Sequence, residues 1–259
     1  MSPKHAIQIY RDREQLASAA TDLIVRSAQK HIADTGQFTC VMAGGTTPRR
    51  VYKLLAISIN AVHIDWRHTY LFWGDERAVP PDHEDSNFRM VENSLLEHVP
   101  LPAENIFRMR GEIPPLDAAL QYELVIKGFF KRAPQQSSAD GLRRDIPVFD
   151  LVLLGIGTDG HTASLFPGSS ALGENERLVV AVEHKQPPLP LVSRLTMTLP
   201  LINHAKEIVF LANGAGKTDV LQQILGDKPN LDMPAARVQP VNGKLFWLLD
   251  ADAAADIRA

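Results

Sequence analysis

The sequence predicts an α/β protein: a single-domain, doubly wound, mainly parallel sheet with helices on both faces. Apolar runs of strand length alternate with helical patterns along most of the chain. Several of these runs end in glycines followed by polar or charged residues, as at the ligand-binding edge of such sheets. The 259 residues are enough for one sizeable core, so we expect residues 1–259 to form one domain.

The predicted elements follow in order along the chain. The first half pairs strands with helices: IQIY (7–10) with a helix near 12–34, CVMAG (40–44) with one from Pro48, YLFW (70–73) with one near 86–97, and NIFRM (105–109) with one near 115–132. The second half gives FDLVLLG (149–155), LVVAV (178–182), RLTMTLP (194–200), EIVFLA (207–212) with its helix, and KLFWLLD (244–250). The polar stretch 133–147 and the proline-rich stretch 186–190 predict surface loops.

The composition of the chain indicates its kind of partner and its location. With 27 Lys and Arg against 30 Asp and Glu, the net charge is -3, so no broad basic field favours nucleic acid or an anionic membrane. The single cysteine, Cys40, excludes an internal disulfide and indicates a reducing compartment. The first residues, MSPKHAIQIY, lack an apolar signal region, and no stretch approaches the roughly 20 apolar residues of a membrane span. We therefore expect a cytoplasmic protein.

The segment GIGTDGHTASLFPG, residues 155–168, is the most informative motif. It follows a buried-strand pattern, and its glycines allow a sharp turn that delivers Asp159 and His161 to the strand's carboxyl end. A histidine there can exchange protons near neutral pH. The alternative is a structural histidine in a tight turn.

Two glycine patterns imitate nucleotide-binding motifs. Residues 155–160 satisfy G-x-G-x-x-G, but Pro167 stops the required helix and Val180 stands where an acidic residue is needed. GAGK, residues 214–217, imitates a P-loop whose first glycine would be Leu211, inside a strand. What remains is Lys217 beside a helix start, which suits a single phosphate monoester or is a surface lysine.

A second anion-binding pattern lies at residues 38–47, FTCVMAGGTT. Gly44 and Gly45 bare backbone N–H groups, Thr46 and Thr47 supply hydroxyls, and a proline marks the start of a helix. The alternative is an ordinary strand-to-helix turn capped by Thr47.

A third segment, residues 70–90, places Asp-Glu-Arg (75–77) at a strand end. Charges near a core need partners, which favours a site over a solvated loop. Residues 83–85, His-Glu-Asp, look like metal ligands, but consecutive loop residues rarely converge on one ion. Ser86 or Asp85 is better interpreted as the N-cap of the following helix.

Together, and in this order, these motifs resemble those of the 6-phosphogluconolactonase family over most of the chain. GGTTP (44–48) resembles the family's S-G-G-x-T-P loop, and GDER (74–77) with SNF (86–88) its D-E-R and S-N-x segment. Residues 155–168 resemble G-x-G-x-D-G-H-x-A-S-[IL]-F-P, SRLT (193–196) resembles P-R-[IVL]-T, and GAGK (214–217) resembles G-x-x-K. Thr158 and Ser193 depart from the family pattern, which has proline at both positions.

The resemblance implies hydrolysis of 6-phospho-D-glucono-1,5-lactone to 6-phosphogluconate in the oxidative pentose phosphate pathway, without metal or organic cofactor. The expected partner is then a small sugar phosphate, and the single domain is catalytic. His161 would be the general base that activates water. Asp159 or Asp75 would orient the imidazole or hold its cationic form.

The other implied contacts serve the substrate. The residues that would hold the 6-phosphate are Gly44, Gly45, Thr46, Thr47, Arg77 and Lys217. Arg194, or backbone N–H groups of the 155–161 turn including Gly157, are candidate donors to the developing oxyanion.

Two other functions remain as alternatives. Glucosamine-6-phosphate deaminases share a similar phosphate loop and G-x-D-G-H turn, but their turn resembles G-H-I-A-F-N-E-P and carries an acid, where this chain has Leu165 and Phe166. A non-catalytic sugar-phosphate sensor would usually carry a basic DNA-binding module, and the sequence offers no such segment. The sequence leaves the oligomeric state open.

Overall fold

A computed structural model describes residues 5–132, 146–185 and 188–257. The strands are β1 His5–Tyr10, β2 Phe38–Met42, β3 Thr69–Trp73, β4 Asp75–Arg77, β5 Ile106–Phe107, β6 Leu151–Leu154, β7 Val179–Val182, β8 Arg194–Met197, β9 Glu207–Ala212 and β10 Lys244–Asp250. The helices are α1 Arg13–Thr35, α2 Thr46–Leu55, α3 Ser58–Ala61, α4 Asn87–Ser94, α5 Pro115–Arg132, α6 Leu199–Asn203 and α7 Thr218–Leu225. Most of the predicted loop 133–147, and part of the loop 186–190, lie outside the described residues.

Seven strands form the main sheet, in the order β1-β10-β9-β6-β2-β3-β5. All of its strand pairs are parallel. β2, β6 and the last five residues of β9 are buried throughout, because strands covered on both faces need apolar side chains in both directions. The predicted α/β class with a mainly parallel sheet is confirmed.

The helix boundaries follow local capping chemistry. Asp12 caps α1 by accepting hydrogen bonds from the N–H groups of Glu14 and Gln15. Ser86 caps α4 by accepting one from the N–H of Arg89, so the predicted N-cap is confirmed. Among the described residues, none of the helices has the length and apolar character that a membrane crossing requires.

A second, smaller sheet was not predicted. It has the order β4-β8-β7, and both of its strand pairs are antiparallel. β4 follows β3 after a single residue, Gly74, whose carbonyl accepts a hydrogen bond from the N–H of Met197. The small sheet therefore lies beside the carboxyl end of β3, where it can add side chains to a site.

The chain changes direction at the centre of the main sheet. From β2 it proceeds through β3 to β5 on one side, and from β6 through β9 to β10 on the other. β2 and β6 are neighbours, so the loops that leave their carboxyl ends diverge. Such a topological switch point is where open α/β sheets bind ligands.

Candidate active site

A cleft of about 320 Å³ opens at this switch point. Its walls come from the segments that follow β2, β3, β6 and β9, and from the start of β8. The residues predicted from sequence that line it are Gly44, Gly45, Thr46, Thr47, Asp75, Arg77, Gly157, His161, Arg194 and Lys217. Asp159 is held against the cleft through its contact with His161. The fold thus brings together motifs that lie up to 173 residues apart in sequence.

His161 and Asp159 form a hydrogen-bonded pair. The Nδ1 atom of His161 lies 2.5 Å from Oδ1 of Asp159, and the backbone N–H of His161 donates to the same oxygen at 3.1 Å. Partial burial would raise the pKa of Asp159, but the hydrogen bonds and charge of His161 outweigh it and hold that pKa below its usual value. Since an ionised carboxylate only accepts, Nδ1 carries the hydrogen and Nε2 is left as a base.

Gly157 makes this pairing possible. Its N–H donates to the carbonyl of His161 at 2.8 Å, which folds the turn back on itself. A Cβ at position 157 would lie 2.0 Å from Nδ1 of His161 and 2.4 Å from Oδ1 of Asp159. Any side chain there would displace the imidazole or the carboxylate.

Asp75 has different partners from Asp159. Its Oδ2 accepts a hydrogen bond from the Ser164 hydroxyl at 2.7 Å, and its Oδ1 accepts one from the Asn87 amide at 3.2 Å. Ser164 and Asn87 are both almost completely buried. Of the two carboxylates that the sequence leaves as alternatives, Asp159 therefore contacts the imidazole, while Asp75 ties the histidine turn to the start of α4.

The glycine-rich loop after β2 leads directly into α2. Gly45 is the N-cap of α2, so the alternative in which Thr47 caps the helix is wrong. The Thr47 hydroxyl instead donates to the side chain of Asn213. The first N–H groups of a helix lack intrahelical partners and carry the positive end of its dipole. Here they lie where Thr46 and Thr47 line the cleft, an arrangement that suits an anion.

Two arginines from the small sheet face each other at the cleft. Arg77 on β4 is the register partner of Arg194 on β8. Within the described part of the chain, the Nε atoms of both are buried without a hydrogen-bond partner. Burial, and then the neighbouring Arg77 guanidinium, lower the pKa of Arg194. Two neighbouring guanidiniums, each with a buried Nε atom, are stabilised by an anion between them.

Lys217 adds a third cation to the cleft wall. It lies just before α7, and burial lowers its pKa while the charge of Asp159 opposes that effect. Within the described ranges, no group of three His, Cys, Asp or Glu residues is placed to hold a metal ion.

Sequence reasoning missed several residues of the cleft wall. Asn213, Pro188 and Leu189 line the cleft, and Phe166 packs against the ring of His161 with 4.8 Å between ring centroids. Phe166 lies within the histidine motif, residues 155–168, so the sequence could have indicated that it lies near His161. Leu189 belongs to a proline-rich stretch whose composition predicts only a loop.

Comparisons with known proteins agree with this fold. Residues 11–247 match the family described as glucosamine-6-phosphate isomerases/6-phosphogluconolactonase. A 6-phosphogluconolactonase from Nostoc sp. is 36% identical over 260 residues, which cover 98% of this chain and 99% of that protein. The solved 6-phosphogluconolactonase of Trypanosoma brucei superposes with a TM-score of 0.85 at 29% identity, covering 98% of each chain. The chain belongs to the glucosamine-6-phosphate isomerase/6-phosphogluconolactonase family.

The deaminase branch shares the scaffold. A monomeric glucosamine-6-phosphate deaminase of known structure is 20% identical, with a TM-score of 0.76 over 96% of this chain and 98% of that chain. At that identity the likeness establishes the fold alone. The choice between lactone hydrolysis and deamination therefore depends on the side chains of the cleft.

Proposed function

We propose that this protein hydrolyses 6-phospho-D-glucono-1,5-lactone to 6-phospho-D-gluconate, as an enzyme of the oxidative pentose phosphate pathway. The observation that carries the proposal is the His161–Asp159 pair, 2.5 Å apart, in a cleft that is also lined by Arg77, Arg194 and Lys217. The pair supplies a base for water, and the cations supply a site for a phosphate. The 36% identity to the 6-phosphogluconolactonase from Nostoc sp. supports the same reaction.

The chemistry needs one proton relay. Nε2 of His161 takes a proton from water as the water oxygen bonds to the C1 carbonyl carbon, and the carbonyl oxygen becomes an oxyanion. When that intermediate collapses, the bond from C1 to the ring oxygen breaks, and the imidazolium returns its proton to the departing oxygen. The acid produced ionises in water. Asp159 accepts from Nδ1 throughout, which stabilises the transient cationic imidazole.

The phosphate serves as an anchor. The first amides of α2, the hydroxyls of Thr46 and Thr47, Arg77 and Lys217 would hold it, with Arg194 completing the cationic wall or stabilising the oxyanion. Binding energy from this remote group places C1 beside His161. The loop amides around Gly157 are the second candidate for the oxyanion contact.

The proposal also covers the domain organisation, cofactor use, location and partner of the enzyme. We propose that residues 1–259 act as one catalytic domain, that the reaction uses neither metal nor organic cofactor, and that the enzyme is cytoplasmic with a small sugar phosphate as its partner. Treatment with a chelator is expected to leave turnover unchanged.

The test is a His161→Ala substitution in an assay of acid release from freshly prepared lactone. The variant is expected to fold normally and to lose about 10² to 10⁴-fold in turnover, the usual contribution of a positioned acid or base. The signal is the excess over spontaneous hydrolysis, measured by base consumption at constant pH, and circular dichroism checks the fold. Turnover close to that of the wild type would remove His161 from the mechanism.

A further inference from the structure

Pro188 and Leu189, which lie between β7 and β8 in sequence, form part of one wall of the cleft. β7 and β8 pair antiparallel, with Val182 opposite Arg194. Two described side chains hold this wall. Arg194 donates from Nη2 to the carbonyl of Pro190 at 2.9 Å, and His184 bonds through Nε2 to the carbonyl of Pro188 at 2.5 Å.

The His184 bond fixes its tautomer. A carbonyl oxygen only accepts, so Nε2 of His184 must carry the hydrogen. The residue is 7% exposed, so the donor end of its bond to Pro188 is buried. Within the described residues, His184 and Arg194 thus hold this wall segment through side-chain hydrogen bonds to Pro188 and Pro190.

His184 also touches the site from a second direction. Its ring stacks on Phe166 with 4.3 Å between centroids and 19° between planes. Phe166 in turn packs against the ring of His161 at 4.8 Å and 41°. The three rings form a row, His161–Phe166–His184, that begins in the cleft and ends at the residue holding its wall.

We propose that His184 is a positioning residue for the reaction. Its hydrogen bond sets the distance of the 188–190 wall from the bound sugar, and its ring supports Phe166, which limits the movement of the His161 imidazole. His184 itself does not touch the substrate. This inference rests on the proposed function, because both effects are measured through lactone turnover.

Two substitutions separate the two contacts. His184→Phe keeps a ring against Phe166 and removes the bond to Pro188. We expect its KM to rise about 2- to 10-fold, the range for one neutral hydrogen bond, with kcat nearly unchanged. His184→Gln keeps an N–H donor and removes the ring. We expect its kcat to fall about 2- to 10-fold, the range for one aromatic contact, with a smaller change in KM.

His204 provides a matched control. Its Nδ1 bonds to the carbonyl of Pro200 at 2.6 Å, four residues away in sequence as in the His184 contact, and it does not line the cleft. His204→Phe and His204→Gln should leave KM and kcat at wild-type values. A purely structural loss at His184 would lower the fraction of active enzyme, which lowers the apparent kcat in both variants and leaves KM unchanged.

The outcomes distinguish the two proposals. If the wild type gives no turnover above spontaneous hydrolysis, the proposed function fails before His184 is tested. The positioning role is supported if the wild type turns over the lactone, His184→Phe mainly raises KM and His184→Gln mainly lowers kcat. Wild-type constants in both variants, or equal losses of kcat at unchanged KM, would overturn it.

Discussion

At the scale of single residues, the sequence could not show which carboxylate, Asp75 or Asp159, contacts the His161 imidazole. Asp75 and Asp159 both follow apolar strands and glycines, so each was a reasonable neighbour for His161. The difference arises from the turn, in which Gly157 allows Asp159 to fold back onto the imidazole. Asp75 approaches the same turn from another strand and meets Ser164 instead. Such contacts between distant segments leave no spacing signal.

Substituting each carboxylate separately tests this division of roles. Asp159→Asn removes the negative charge beside Nδ1 and permits the wrong imidazole tautomer. We expect kcat to fall by at least about 10-fold and by up to about 10⁴-fold, the loss for the same change in a catalytic triad. Asp75→Asn should instead lower stability, by about 1 to 3 kcal/mol, because the amide keeps one acceptor oxygen and leaves either Ser164 or Asn87 facing an NH₂ donor.

The comparison requires kcat at saturating substrate and a denaturant unfolding curve for both variants. At saturating substrate, a lower kcat reports a defect in proton transfer and not weaker substrate binding. The unfolding curve reports the free energy lost with the hydrogen bonds. A larger loss of kcat in Asp75→Asn than in Asp159→Asn would assign the orienting role to Asp75 and contradict the geometry.

At the scale of elements, the strands of the main sheet could be predicted, as could β7 and β8, but β4 and the small sheet that it completes could not. The central strands of the main sheet are apolar runs bounded by polar or glycine residues, because burial on both faces selects such runs. β4, in contrast, is Asp-Glu-Arg, a sequence that predicts a charged loop. Its strand conformation depends on pairing with β8, more than 115 residues later. The facing arginines therefore appear only in the folded chain.

The glycine loop before α2 gives a prediction at this scale. A Cβ on Gly44 would lie 2.0 Å from Oδ1 of Asn87, whose amide holds Asp75. Gly44→Ala should therefore displace a buried side chain, cost about 1 to 3 kcal/mol of stability and raise KM for the phosphorylated lactone. A second substitution, Asn87→Ala, should relieve the overlap, so the double variant should be no less stable than Asn87→Ala alone.

Gly173→Ala is the control, because a Cβ at that glycine meets nothing within 4 Å. Thermal unfolding gives the stability, and steady-state kinetics give KM, for the two single variants, the double variant and the control. Additive losses in the double variant would show that Gly44 and Asn87 are not in steric contact.

At the scale of the whole molecule, the cleft combines residues from both sheets around one switch point. The loops that leave the main sheet supply His161 and the α2 amides, and the small sheet supplies Arg77 and Arg194. The overall charge of -3 gave no sign of this cationic wall, since a local site needs only a few charges. The separation of base from anchor predicts that binding and chemistry can be changed independently.

Removing a cation should therefore affect the substrate only through its phosphate. Lys217→Ala and Arg77→Ala are each expected to lower kcat/KM for the phosphorylated lactone by about 10- to 100-fold, which corresponds to one charge-assisted hydrogen bond. Their activity toward unphosphorylated gluconolactone should barely change. Lys228→Ala, an exposed lysine outside the cleft, serves as the control. Equal losses on both substrates would mean that these cations serve the chemistry or the fold.

A pair of assays distinguishes the two reactions of the family. Lactone opening needs one activated water and one proton relay, and we propose that His161 and Asp159 supply them. Deaminating isomerisation also moves protons between C1 and C2 and uses an acid beyond the histidine turn. This chain has Leu165 and Phe166 there, and Phe166 packs its apolar ring against His161 at 4.8 Å. The cleft therefore has the groups for hydrolysis, and that part of its wall is apolar.

The purified protein should acidify fresh 6-phosphogluconolactone faster than the spontaneous rate and release no ammonia from glucosamine 6-phosphate. Both reactions are followed in parallel, the first by base consumption at constant pH and the second by a coupled ammonia assay, with His161→Ala as the common control. The lactone also opens unaided, so the measured quantity is the excess over that control. Ammonia release without any excess acidification would assign this chain to the deaminase reaction.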